Sequence, residues 1–427
     1  MTSAQAGALL LVLAAVLAVA KAVGSLFARW GQPAVIGEIL AGILFGPTLL
    51  PAAVERTLFP VDLHLVLTAL GDLGVAVFMF LIGQEFGRHP PRRQVGLVLA
   101  TTAGSIALPF GGGVLLALTA APAPAGAPLS AFALFLGTAM SVTAFPVLAR
   151  IVRDRSLTGA RVANLALASA AIGDLLAWAL LAVAVMLASG QAQWKLLLAA
   201  PLLAVVFLVA RPMLARWATW RVAREHAGEP IVPALVGLLV CGAVTELIGL
   251  HFIFGAFVFG LVMPTGVGGL REPTARQLGR VTESMLLPVY FVVAGIQVDL
   301  TKVGISGLGL FGAVMLVAVG GKFAGVTVGA RAKGLDWRRS AALATLMNTR
   351  GLTELIILTT GRQLGLLDTG LYSLLVLMAL VTTAMAGPLV RVLYPAPMVE
   401  MDREFLAAMA TEKSPVTTGP AAGGREQ

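Results

Sequence analysis

The chain has 427 residues, of which 58% are hydrophobic and only 12% are charged, and its mean hydropathy is +0.92. A soluble domain carries roughly twice that charged fraction, and so few charges cannot clothe a globule of this size. A cytosolic enzyme and a disordered chain are thereby excluded. The single cysteine, Cys241, leaves neither a disulfide framework nor a cysteine zinc site, and the four histidines are scattered. What remains is an all-α polytopic membrane protein.

Thirteen spans of about 20 apolar residues, the length a bilayer core requires, follow in order. They are Ala6–Ala28, Pro33–Leu50, Leu63–Gly83, Val95–Leu118, Leu129–Leu148, Val162–Ala188, Leu196–Val209, Ile231–Leu250, Phe252–Met263, Val281–Val298, Ile305–Ala330, Ser340–Thr360 and Leu371–Leu393. Their uniform apolarity lacks the alternation of a β-barrel. The first span reads as a retained helix and not a signal peptide, because MTSAQAGA has no basic stretch and the apolar run continues through Phe27. Residues 1–395 are expected to form the membrane domain, with a core around 95–188 and 305–393. Residues 396–427 are expected to be a short disordered cytoplasmic tail.

The net charge of +9 reflects loop placement and not a nucleic-acid surface. Of the 30 Lys and Arg residues, 23 fall in the odd-numbered loops, the tail and the last turn of the thirteenth span that adjoins it (Arg391), and the even-numbered loops hold only Arg56, Lys195, Lys302 and Arg362. The positive-inside rule then places the N-terminus outside and the C-terminus in the cytoplasm of a cell inner membrane. The remaining cations, Lys21, Lys322 and Arg350, lie inside spans. A cation there needs a partner or a watery cavity. Lys21 lies toward the end of its span, from where it can snorkel to the headgroups.

Asp174 lies near the middle of LALASAAIGDLLAWALLA, with Ala170, Ala171 and Ala177 on its helix face. Small neighbours let another helix approach closely. Desolvation favours the neutral acid there, and a nearby cation favours the charged one. Such a carboxylate holds a proton or a small cation, not both; a buried helix-pairing salt bridge is the plainer alternative. Glu354 follows Arg350 by four residues, which predicts an ion pair on one helix face, structural or functional. Glu38, Asp72, Glu85 and Glu246 lie in or at the ends of spans, and composition does not separate a role in lining water from one in holding helices.

Two spans are interrupted. In SVTAFPVLAR, Pro146 removes a backbone donor and disfavours helix at Phe145, with the Ser141 and Thr143 hydroxyls beside the break. In LMNTRGLTELI, the residues Asn348, Thr349 and Gly351 are poor helix formers in series. Each alone reads as a kinked helix. The two breaks are seven spans apart, so the segments run in opposite directions, and irregular backbone at membrane depth belongs around a protein-lined cavity. Paired, inverted, broken helices point to a midplane ion site in a secondary transporter. Glycines spaced GxxxG at Gly42 and Gly46, and at Gly321, Gly325 and Gly329, are consistent with close helix packing. Neither a GxxxxGK[ST] loop nor a TVGYG filter occurs, so no ATP-driven engine, no potassium-channel filter and no cofactor is expected.

The landmarks GQPAVIGEILAGILFGP, GVAVFMFLIGQE, SVTAFPVLARI, the Asp174 segment, HFIFGAFVFGLVMP, LLPVYFVVAGIQVDL, GGKFAG and NTRGLTELIIL occur in that order. Over about residues 8–395 the chain resembles the monovalent cation:proton antiporter-2 family. The resemblance implies thirteen helices with an inverted repeat, two discontinuous crossing helices around Pro146 and Gly351, a homodimer, and alternating access by a sliding core. It also implies that Asp174 carries the ion, that Thr143 lies near it, and that Lys322 and Arg350 are the supporting cations. Two departures stand out. Electrogenic members carry paired acids and many others an amide before the aspartate, where this chain has Gly173, which leads to an expectation of electroneutral exchange of K⁺ or Na⁺ for protons. The regulatory nucleotide domain of many potassium-efflux relatives has no counterpart in residues 394–427. Proton-coupled efflux of an organic cation or small metabolite on the same fold is the alternative; a channel and a non-transporting sensor fit a charged midplane less well.

Overall fold

The computed structural model describes residues 3–51, 60–86, 94–189, 198–223, 231–248, 251–264 and 271–411. In chain order its helices are α1 (Ser3–Arg29), α2 (Ala34–Phe45), α3 (Val61–Phe86), α4 (Val95–Thr119), α5 (Leu129–Ser141), α6 (Phe145–Asp154), α7 (Arg161–Ser189) and α8 (199–223). They continue with α9 (Ile231–Leu247), α10 (Phe252–Val262), α11 (271–296), α12 (304–332), α13 (Trp337–Met347), α14 (Leu352–Gln363), α15 (Thr369–Leu393) and α16 (Ala396–Thr411). The described residues contain no strand, and each of the thirteen apolar spans is helical over most of its described residues. Among the described residues nine segments are long and apolar enough to cross a bilayer, eight of them single helices and the ninth α5 and α6 taken together; α2, α9 and α10 are shorter apolar helices, and α13 with α14 makes up the interrupted twelfth span.

Burial sorts them. The window within 129–154 is 89% buried, against 11% for that of α1 and for that of α8. The broken segment is therefore wrapped by other helices, as unpaired backbone in a membrane must be, whereas α1 and α8 lie at the periphery. Helices α4, α5, α7, α12, α13 and α15 pack chiefly on one another, and α2, α3, α9, α10 and α11 form a second set. Within the first set, α4 and α12 touch backbone to backbone: a Cβ on Gly104 would fall 2.0 Å from the Gly325 carbonyl oxygen, and one on Gly325 would fall 1.9 Å from that of Gly104. Absence of side chains at this crossing brings Lys322 of α12 against Ser105 of α4.

Three details depart from expectation. The break in the fifth span precedes Pro146. Residues 142–144 are extended, and Pro146 sits in the first turn of α6, where its missing N–H has no intrahelical partner to lose. The seventh span lies further along the chain than Leu196–Val209. Its apolar stretch is Pro201–Trp220, so Arg211 and Arg216 lie within α8 and not in a loop; residues 196–197 are outside the described residues. The tail is helical over Ala396–Thr411, because it finds partners on the membrane domain. Asp402 pairs with Arg339 at 2.8 Å and accepts from the Tyr394 hydroxyl at 2.5 Å, and Arg403 donates to the Ser156 and Thr158 carbonyls at 2.6 and 3.2 Å. The expectation of disorder for residues 412–427 falls outside the described residues.

The glycine contact gives a direct test of the packing. Gly325→Leu forces α4 and α12 apart, and overpacking of this kind costs about 1–3 kcal/mol or more. The expected outcome is a lower melting temperature and a loss of the monodisperse peak in detergent, followed by fluorescence-detected size exclusion. Gly309→Leu, at a position with open space around it, is expected to leave both unchanged.

Candidate functional site

Each interruption exposes the ends of two half-helices. At the end of α5 the carbonyls of Ala139, Met140 and Ser141 have lost their helical partners, and two cations take them. Arg350 donates to the Ala139 and Met140 oxygens at 2.7 and 2.5 Å. Lys322 donates to the Ser141 oxygen at 2.5 Å. The negative end of the α5 dipole thus meets two positive side chains. The start of α6 is the positive end of its half-helix, and there the backbone N–H of Phe145 faces the Asp174 carboxylate.

The two interruptions also bind each other. The Ala144 N–H donates to the Thr349 carbonyl at 3.0 Å, and the Thr143 hydroxyl donates to the Met347 carbonyl at 2.7 Å. Gly351 has to be small, since a Cβ there would lie 2.4 Å from a methyl of Val147 on α6. Asn348 Oδ1 is buried at the same crossing with no hydrogen-bond partner.

Lys322 is fully buried, and its Nζ contacts three oxygens: Ser105 Oγ at 2.9 Å, the Ser141 carbonyl at 2.5 Å and Thr143 Oγ1 at 2.6 Å. Three acceptors match the three N–H groups of an ammonium. Two of them belong to the residues that the sequence offered as cation ligands. Ser141 contributes its backbone oxygen, because its hydroxyl is turned back to the Thr138 carbonyl at 2.8 Å. Arg350 and Glu354 form an ion pair at 2.8 Å with both side chains fully buried. The expected pair is present, but Arg350 lies in the unwound stretch before α14 and not on its helix face; Glu354 occupies the first turn. The Arg350 backbone is held by Thr383 of α15, which donates to its carbonyl at 2.7 Å and accepts from its N–H at 3.1 Å.

Asp174 completes the arrangement. It is 6% exposed, lies within electrostatic reach of Lys322, and its Oδ1 is buried without a hydrogen-bond partner. The structure therefore brings Asp174, Thr143, Ser141 and Lys322 to one crossing, with Arg350 and Glu354 on its far side. A buried carboxylate with one oxygen unclaimed can take up a proton or a dehydrated monovalent cation.

The other span acids lie apart from it. Lys21 does not only snorkel: its Nζ is 3.5 Å from Glu38 and donates to the Glu283 carbonyl at 3.1 Å. That carbonyl lies in a π-helical turn of α11, which loosens the normal ladder. Glu246 accepts from the Phe252 N–H at 2.8 Å and caps α10. Asp72 lines a pocket of mixed polar and apolar wall between α3, α10, α11 and α14. The side chain of Glu85 is outside the described residues. Sequence reasoning missed Ser105 and Thr383; both are ordinary helix hydroxyls with no signal in one sequence.

Two interrupted helices crossing beside a buried aspartate, inside an all-helical multi-pass membrane protein, define a secondary ion transporter. Comparison narrows this. Residues 12–394 match the family model described as sodium/hydrogen exchanger, transmembrane, and the chain belongs to that family. It is thus a membrane transporter of the cation:proton antiporter class and not an enzyme. It is 35% identical over 407 residues to the Na(+)/H(+) antiporter NhaS4 of Synechocystis, covering 91% of this chain and 98% of that one. It is 32% identical over 388 residues to the K(+)/H(+) antiporter 1 of Saccharomyces cerevisiae, covering 86% of this chain and 44% of that protein, so it spans less than half of the yeast relative. Its fold matches that of the sodium proton antiporter MjNhaP1 of Methanocaldococcus jannaschii with a TM-score of 0.62 and 13% identity, over 92% of this chain and 97% of that one.

The buried pair gives a prediction about stability. Arg350→Met leaves Glu354 and two carbonyls unpaired, and breaking one side of a buried pair costs about 3–5 kcal/mol. The double variant Arg350→Met, Glu354→Leu removes the stranded charge and is expected to recover part of the lost thermal stability, read as the melting temperature of the purified protein.

Proposed function

We propose that the protein exchanges a monovalent cation, K⁺ or Na⁺, for protons across the membrane, one for one, through competition at Asp174. Support comes above all from the unpartnered Oδ1 of Asp174 at the crossing of the two interrupted helices. The ionised carboxylate takes the cation together with freed backbone oxygens and the Thr143 hydroxyl; the protonated carboxylate excludes it. Either occupant neutralises Asp174, and a neutral site crosses a low-dielectric barrier far more easily than a bare carboxylate. Obligate exchange follows from that difference without ATP.

Gly173 supports electroneutral transport: it stands where a second acid would sit, leaving one carboxylate to carry either ion. For movement, we propose that the set of helices bearing Asp174 and Lys322 slides against the set built on α2, α3, α10 and α11, in a homodimer, with the N-terminus outside and the C-terminus in the cytoplasm. Relatives named for Na⁺ and for K⁺ exchange agree with a monovalent cargo of either kind.

Asp174→Asn is expected to abolish cation-driven proton movement in proteoliposomes while the protein stays folded and monodisperse. Wild-type-like exchange by that variant would remove Asp174 from the mechanism. Wild-type exchange is expected to be unaffected by a clamped membrane potential; a rate that follows the potential would rule out one-for-one stoichiometry.

A further inference from the structure

A second polar site lies away from the crossing. Asp72 sits in the first half of α3, inside the membrane, and makes no hydrogen bond or ion pair with any described residue. An unpaired intramembrane acid is costly and marks a functional position. It lines a pocket with Thr68 of its own helix, Tyr290 of α11, His251 at the head of α10, and Thr359 and Thr360 of α14. Every one of these side chains except His251 presents an oxygen. The Thr359 hydroxyl donates to the Leu355 carbonyl, so it accepts from the Tyr290 hydroxyl at 2.9 Å. His251 Nε2 lies 3.4 Å from Thr360 Oγ1, and its Nδ1 is buried without a partner. Glu246 is within electrostatic reach of Asp72 but is engaged at the head of α10.

Position gives the pocket its meaning. It lies toward the membrane face that carries the loops poor in basic residues, since Arg362 at the end of α14 donates to the Gln297 carbonyl at the end of α11 at 2.7 Å. Thr359 follows Glu354 by five residues, about 8 Å along the α14 axis. The pocket therefore lies between that face and the crossing, at the border between the two helix sets. Asp72 is the one carboxylate on the pocket wall, with Glu246 nearby but engaged on the Phe252 N–H, and this sparse acidic set suits a monovalent cation; a divalent site collects more carboxylates.

We propose that this pocket is a second cation site, with Asp72 as its carboxylate, which a partly hydrated monovalent cation occupies on its way between the basic-poor face and Asp174. Its place on a path to Asp174 rests on the function proposed above; binding at Asp72 does not. In oriented proteoliposomes of the full chain, Asp72→Asn is expected to raise the KM for Na⁺ or K⁺ added at the basic-poor face about fivefold. The KM from the opposite face and the maximal rate are expected to stay within about twofold. Thr359→Val removes one oxygen and is expected to raise the same KM about twofold, which carries the test if Asp72→Asn does not fold. An unchanged KM, or an equal rise at both faces, overturns the proposal. Thallous ion supplies a direct readout. Asp174→Asn protein is expected to bind it by calorimetry, and the double variant Asp174→Asn, Asp72→Asn is not; equal binding by both overturns the outer site. Continued exchange by Asp174→Asn would count against the role of Asp174, and the thallous-ion comparison would still judge Asp72.

Discussion

An interrupted helix inside a membrane leaves carbonyl and N–H groups that lipid cannot satisfy, and this constraint organises the structure. The end of α5 has three carbonyls without helical partners, and two buried cations from elsewhere in the chain close them. Lys322 and Arg350 are thus held in place by backbone oxygens as well as by acids. Removing the interruption would strand both charges; removing the charges would strand the backbone. Each is tolerable only because of the other.

The same arrangement sets the electrostatics around Asp174. Its carboxylate faces the positive end of one half-helix, while the negative end of the other is already neutralised. Lys322 is close enough to interact with Asp174, yet its Nζ is committed to Ser105, Ser141 and Thr143. The acid is therefore influenced by a cation without being locked to it, and one of its oxygens stays unclaimed. Arg350 and Glu354, by contrast, are bound to each other and to backbone, a rigid anchor on the other side of the crossing. The contrast separates the proposed carrier, Asp174, from an acid bound in a buried pair, although both lie beside cations.

Much of this was legible in one sequence. Span lengths fix the helix count because a bilayer has one thickness, and cations inside spans stand out because charge is scarce there. The interruptions were visible as Pro146 and as the series Asn348, Thr349, Gly351. Local reasoning put the break at Phe145, whereas α6 already opens there and residues 142–144 are the interruption, because proline suits the first turn of a helix. The helix over Ala396–Thr411 was not legible in the tail, since Asp402 and Arg403 gain their partners from Arg339 and the carbonyls of Ser156 and Thr158, far away in the chain.

Composition, periodicity and charge placement by themselves determined a thirteen-span helical membrane protein with two broken segments and a few buried charges, because solvation in lipid acts on each residue through its immediate neighbours along the chain. Only the tertiary structure decided which oxygens each charge meets. Ser105 lies 217 residues from Lys322, and Met140 lies 210 residues from Arg350; no local pattern encodes such distances. The unclaimed oxygen of Asp174 and the lack of a partner for Asp72 among the described residues belong to the same class, since whether a buried group has a partner is settled by which helices pack against it.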